Sequence, residues 1–144
     1  MLIYLCKYIQ YKYLIGEWGS YMDSIHIQIA EVLFSLLRDE GDKALITYSD
    51  LSDEIDNIVT PRNLAGYIGD LSVWSHEFGA PMISALVVNK KEYMPGNGFF
   101  KFYEEEYGIK VENKYETFKS ELNKVRKYMH WDEFAEELGI DYIF

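Results

Sequence analysis

Thr60-Pro61 and Gly79-Ala80-Pro81 bracket the stretch that most constrains this chain. Thr60 is a capping residue. Pro61 suits the first helical position, where a missing N–H costs no intrahelical bond. Leu64, Ile68, Leu71 and Phe78 recur at helical spacing and predict the buried face of one helix. Gly79-Ala80-Pro81 then ends it. Arg62, Asn63, Gly66 and Gly69 fall on the other face. A helix-interior glycine costs about 1 kcal/mol relative to alanine. Close helix packing is the expected reason for Gly66 and Gly69, with close approach to a ligand's backbone as the alternative.

The flanking segments read outward from this helix. Asp23 or Ser24 caps an earlier helix whose stripe is Ile25, Ile29, Val32, Leu33 and Leu36, ending at Gly41. His26 sits beside that stripe and reads as a surface or partly packed residue. Thr47-x-x-Asp50 opens a short helix with Leu51 and Ile55 inward and Asp50, Asp53, Glu54 and Asp56 on its outer face. Met82 to Asn89 is a buried strand by its Val, Ile and Leu content, and Met94-Pro95-Gly96-Asn97-Gly98 is a turn. Phe99 to Tyr107 fits either the return strand of a wing or a short helix ended by Gly108. Asn113, with Glu116 three residues on, starts a helix with the stripe Tyr115, Phe118, Leu122, Val125 and Met129. Trp131 to Leu138 is a short last helix. The expected fold is α+β: a small winged helix-turn-helix-like domain, mostly helical, with a short β-hairpin or sheet. Residues 22–144 read as that single domain. Residues 1–21 have no clean period and read as an N-terminal extension, Met22 being a candidate native start.

The formal net charge of −10 opposes non-specific attraction to nucleic acid, because phosphate contacts need Lys and Arg. The charge is uneven. Residues 61–101 carry Arg62, Lys90, Lys91 and Lys101 against Asp70, Glu77 and Glu92, so the centre is the least acidic part. The single cysteine, Cys6, excludes an internal disulfide and fits a cytoplasmic location. The apolar N-terminal run is interrupted by Lys7 and Lys12 and is too short to span a bilayer, so no membrane partner is expected.

Ile46-Thr47-Tyr48-x-x-Leu51, then Pro61-Arg62-x-Leu64, then Gly79-Ala80-Pro81 before an apolar segment, resembles the DNA-binding domain of alkylguanine-DNA alkyltransferases and alkyltransferase-like proteins. The resemblance covers about a third of the chain. It implies that Tyr48 matches the family tyrosine and Arg62 the arginine that intrudes into the duplex during base flipping. The family's Pro-Cys-His-Arg active site would fall near Ser84 to Val88, where this chain has Ser-Ala-Leu-Val-Val. Alkyl transfer needs an activated thiolate, so that chemistry is not expected. Ala85-Leu-Val-Val-Asn and Pro95-Gly-x-Gly-Phe are also similar to small uncharacterised bacterial and phage proteins.

No catalytic residue, metal site or cofactor is expected. His76-Glu77 and His130-Trp131-Asp132-Glu133 lack the ligand spacing of zinc sites. Pro95-Gly96-Asn97-Gly98 has no following Lys-Ser/Thr and is no P-loop. Two non-catalytic functions are expected, and an enzyme is a distant third. In the first, a winged-helix protein binds DNA through Tyr48, Arg62 and Asn63, with Lys90, Lys91 and Lys101 on phosphates. In the second, an acidic inhibitor or adaptor of phage type, a DNA mimic, binds a basic nucleic-acid-binding protein such as a nuclease. Its contacts would be Asp50, Asp53, Glu54 and Asp56 together with Glu104, Glu105 and Glu106.

Overall fold

The structure, a computed structural model, describes residues 22–141. The extension assigned to residues 1–21 lies outside the described residues. Helix α1 (Ser24–Glu40) starts at Asp23, whose carboxylate accepts the N–H groups of Ile25 and His26, while His26 Nδ1 accepts the N–H of Asp23. Gly41, at a φ of 55°, ends it. After a tight turn at Gly41–Lys43 come strand β1 (Ile46–Thr47) and α2 (Tyr48–Glu54), capped by Thr47 accepting from Asp50 N–H at 3.1 Å. Asp56 and Asn57 both take positive φ and turn the chain back, and Asn57 is of the type that tolerates this conformation.

Thr60 stands at the cap position but its side chain makes no capping bond; Pro61–Asn63 forms a 3-10 turn and α3 proper is Leu64–Phe78. A second 3-10 turn (Ile83–Leu86) leads into strand β2 (Val87–Val88). Helices α4 (Asn97–Tyr107), α5 (Lys114–Lys127) and α6 (Trp131–Glu137) complete the described chain. The molecule is mostly helical, with a small two-stranded sheet, and is α+β.

Strands β1 and β2 pair in parallel, Ile46 with Val87 and Thr47 with Val88. A parallel pair requires a crossover, which α2 and α3 supply, and it cannot be a hairpin. Phe99 to Tyr107 is helix, so the described residues contain no return strand after β2. The expected turn moves as well. Asn89 closes a loop by donating from its backbone and side chain to Met94 O at 2.9 Å, and α4 begins at Asn97 within the glycine-rich segment.

The strand expected over Met82–Asn89 shrinks to two residues for a definite reason. Its first amides are bound by side chains and not by a neighbouring strand. Met82 N–H donates to Glu121 Oε2 at 2.9 Å, Ile83 N–H to Ser75 Oγ at 3.3 Å and Ser84 N–H to Ser72 Oγ at 3.1 Å. A buried amide must find an acceptor, and these three allow the backbone to coil tightly in the centre of the molecule. Met82 through Val88 are all buried. Leu51, Ile68 and Leu71 belong with Leu86 and Val88 to one core, as their spacing predicts.

Three expectations are corrected. His26 is 3% exposed and not at the surface; its Nε2 stands 2.9 Å from Asp70 Oδ2, and its ring packs on Tyr67 and Trp74. With Nδ1 accepting, the ring is satisfied as the Nε2-protonated tautomer. On α5, Tyr115 and Met129 are exposed and Glu121 is buried. Met129 leaves the stripe because α5 stops at Lys127 and Tyr128 is extended. Gly66 and Gly69 are not sites of close packing, since a Cβ at either would meet nothing within 4 Å.

Candidate functional site

The residues expected to read nucleic acid are spread over several elements. Arg62 and Asn63 are exposed on the 3-10 turn ahead of α3. Lys90 and Lys91 are exposed in the loop after β2, and Lys101 is exposed on α4. Tyr48 is half-buried at the start of α2, with its hydroxyl 3.5 Å from Gly96 N–H. Burial raises the Tyr48 phenol above its ordinary range, partly offset by that backbone contact, so it stays neutral.

The acidic residues show a different arrangement. Asp50, Asp53, Glu54 and Asp56 are all exposed, and Glu54 reaches a groove between α1 and α2. This groove, about 450 Å³, is lined by Glu31, Asp39, Glu40 and Glu54 over the apolar side chains of Val32, Leu36, Ile46 and Ile55. Helix α1 makes it because its apolar arc is wider than the core covers. Ile29 and Leu33 are fully buried, whereas Val32 and Leu36 are only partly covered. Asp39 accepts from Arg38 Nε at 2.8 Å, and this hydrogen bond holds its carboxyl below the usual range. Glu104, Glu105 and Glu106 do not line the groove. Glu104 accepts from Val111 N–H at 2.9 Å, and Glu106 lies 3.4 Å from His76 Nε2.

A third cluster centres on Glu121, which sequence reasoning missed. Its carboxylate is 0% exposed. Oε2 accepts from Met82 N–H and, at 2.8 Å, from the Tyr107 hydroxyl. Oε1 has no hydrogen bond, and Lys124 Nζ stands 3.8 Å away from it. Burial and then the bond to Glu121 push the Tyr107 phenol far above its ordinary range, so it acts as a donor. The cluster borders a groove formed by His76, Pro81, Tyr107, Lys124, Lys127 and Tyr128. The signal for Glu121 was its place one residue before Leu122 and three after Phe118, on the buried side of α5. Its bonds fix backbone and hold a phenol, so they make a structural brace.

Among the described residues no group of three or more His, Cys, Asp and Glu side chains is placed to hold a metal ion, and no helix is long and apolar enough to cross a membrane. Compared with family models, with curated proteins and with solved structures, the chain matches none.

Proposed function

We propose that this chain is a non-catalytic inhibitor or adaptor that takes a basic, amphipathic segment of a partner protein in the α1–α2 groove. The observation that carries this reading is the composition of the groove. Glu31, Asp39, Glu40 and Glu54 line it with no lysine or arginine, above the floor of Val32, Leu36, Ile46 and Ile55. A helix with cations along one side and aliphatic residues along the other complements both features. The net charge of −10 adds steering toward a basic partner.

A second reading rests on Arg62 and Asn63, both exposed ahead of α3. Here α2 and α3 act as a helix-turn-helix of winged-helix or alkyltransferase-like type, and Tyr48, Lys90, Lys91 and Lys101 assist on DNA. It has fewer cations to offer, and the surrounding carboxylates repel phosphate.

Titration separates the two. A labelled Leu/Lys amphipathic peptide and a labelled duplex are each added to the wild type, to Glu31→Lys/Glu54→Lys and to Arg62→Ala. The expected result is peptide binding that weakens at least tenfold on charge reversal, falls with salt and ignores Arg62→Ala. Duplex binding that is lost on Arg62→Ala, with no peptide binding, would replace the first reading by the second.

A further inference from the structure

On the opposite side of α2 from its acidic face, Tyr48 helps to wall a cavity of about 230 Å³ between α2, α3, the Ile83–Leu86 turn and α4. The wall is largely apolar, with Ile68, Val73, Met82, Phe99 and Phe102 contributing to it. It contains no charged side chain. We propose that this cavity is a binding site for a small, neutral, flat apolar molecule bearing one hydrogen-bond acceptor, such as an aryl carbonyl compound.

Two independent features support this. The first is the glycines. Gly69 on α3 and Gly98 on α4 both line the cavity, and a Cβ at either would meet nothing within 4 Å. Neither takes the positive φ that would require glycine. An alanine at Gly69 would favour the helix and touch nothing. Both glycines are exposed to solvent, so what they provide is an open mouth to one shared cavity.

The second feature is unused hydrogen-bond donors. Ser72 and Ser84 are 2% and 6% exposed, and both line the cavity. Their hydroxyls bond to each other, and Ser72 Oγ also accepts the N–H of Ser84. One shared bond uses one hydroxyl hydrogen, so the pair's second hydrogen has no acceptor among the described residues. The Tyr48 hydroxyl accepts from Gly96 N–H, and its own hydrogen likewise has no acceptor among them. The serine pair is buried, where a donor without a partner is costly, so a ligand oxygen placed here gains the bond that the protein leaves unmade, with the half-buried Tyr48 hydroxyl as a second donor. The absence of a cation in the wall selects against a carboxylate and for a carbonyl.

Size narrows the class further. An apolar cavity of about 150 Å³ accommodates benzene. In proportion, this one suits roughly ten non-hydrogen atoms. Acetophenone fits that limit, and isopropylbenzene has nearly the same shape without the acceptor.

The test is a pair of NMR titrations of the whole chain with acetophenone and with isopropylbenzene. Acetophenone should bind at least fivefold more tightly and shift the amides of Gly69, Ser84 and Gly98. Ser84→Ala and Tyr48→Phe should erase that preference while leaving isopropylbenzene binding unchanged. Gly69→Leu should abolish binding of both probes without lowering the melting temperature. Gly69→Ala should weaken binding and raise the melting temperature, and it serves where the larger variant does not fold. Absence of binding by either probe, unchanged binding in both Gly69 variants, or a lowered melting temperature in Gly69→Ala would overturn the proposal.

Discussion

Replacing Glu121 by alanine should be among the most damaging single changes available to this chain, and replacing it by glutamine clearly less so. The carboxylate is fully buried and receives two hydrogen bonds on one oxygen, from Met82 N–H at 2.9 Å and from Tyr107 O–H at 2.8 Å. Alanine removes the acceptor and leaves the Met82 amide buried without a partner. It also opens a void beneath α5. The unsatisfied amide costs about 1–3 kcal/mol and the void about 2 kcal/mol more, roughly 3–5 kcal/mol together. With an unfolding entropy near 2 cal/mol/K per residue, that lowers the melting temperature of a chain of this size by roughly 10–15 °C.

Glutamine behaves differently because of the other oxygen. Oε1 has no hydrogen bond, only Lys124 Nζ at 3.8 Å, and that lysine is largely exposed. The amide oxygen can take the place of Oε2 and keep both donors, while the NH2 group falls where Oε1 stood. A neutral amide is also far cheaper to bury than a carboxylate. That NH2 group meets no acceptor, which costs about 1–3 kcal/mol and is partly offset by the cheaper burial of a neutral group, so the loss should stay well below that of alanine. Reversible urea melts of the two variants provide the check. An alanine variant within about 0.5 kcal/mol of wild type, or a glutamine variant as damaged as alanine, would refute the assignment of Glu121 as the brace of the Met82–Leu86 turn.

Two further outcomes follow from the core. Leu71, fully buried, should cost about 2–5 kcal/mol on truncation to alanine, read from a denaturant midpoint at unchanged slope. The Tyr107 phenol is raised in the folded state by burial and by its bond to Glu121, so its contribution is complete below about pH 10, the unfolded value, and is lost as pH rises beyond it. Melting temperatures measured from pH 8 to 11 should fall at the alkaline end, and Tyr107→Phe should flatten that fall.

Much of the helical frame was legible because its signals are local. Asp23, Thr47 and Asn113 each accept a backbone N–H from two or three residues ahead, and such short-range bonds leave a pattern in a short window. The Met82–Asn89 segment carries an equally strong pattern, and that pattern misled. Its apolar run correctly marks burial, but burial does not choose between strand and coil. The choice lies with the acceptors for its amides. Ser75, Ser72 and Glu121 are 8, 12 and 39 residues away along the chain. No window over the segment itself contains that information. The same holds for His26, whose partner Asp70 is 44 residues distant.

The sites were less legible than the frame, because each is made by what the core fails to cover. The helical spacing of α1 shows that Val32 and Leu36 are apolar, but not that α2 leaves them half open between Glu31, Asp39, Glu40 and Glu54. The acidic face of α2 was visible in the sequence; its continuation onto α1 depended on how the two helices meet. Gly69 carried a clearer hint. A glycine inside a helix needs a reason, and tight packing was the natural one until the surrounding space proved empty. Once Gly69 and Gly98 are seen to open on one cavity, α2 stands between two concave surfaces of opposite character. Tyr48, at its start, walls the neutral cavity, and Glu54, at its end, rims the acidic groove. A helix of seven residues cannot hold itself, so its buried face, Leu51 in the core and Ser52 bonded to Val59 O, fixes its position and with it one wall of each surface.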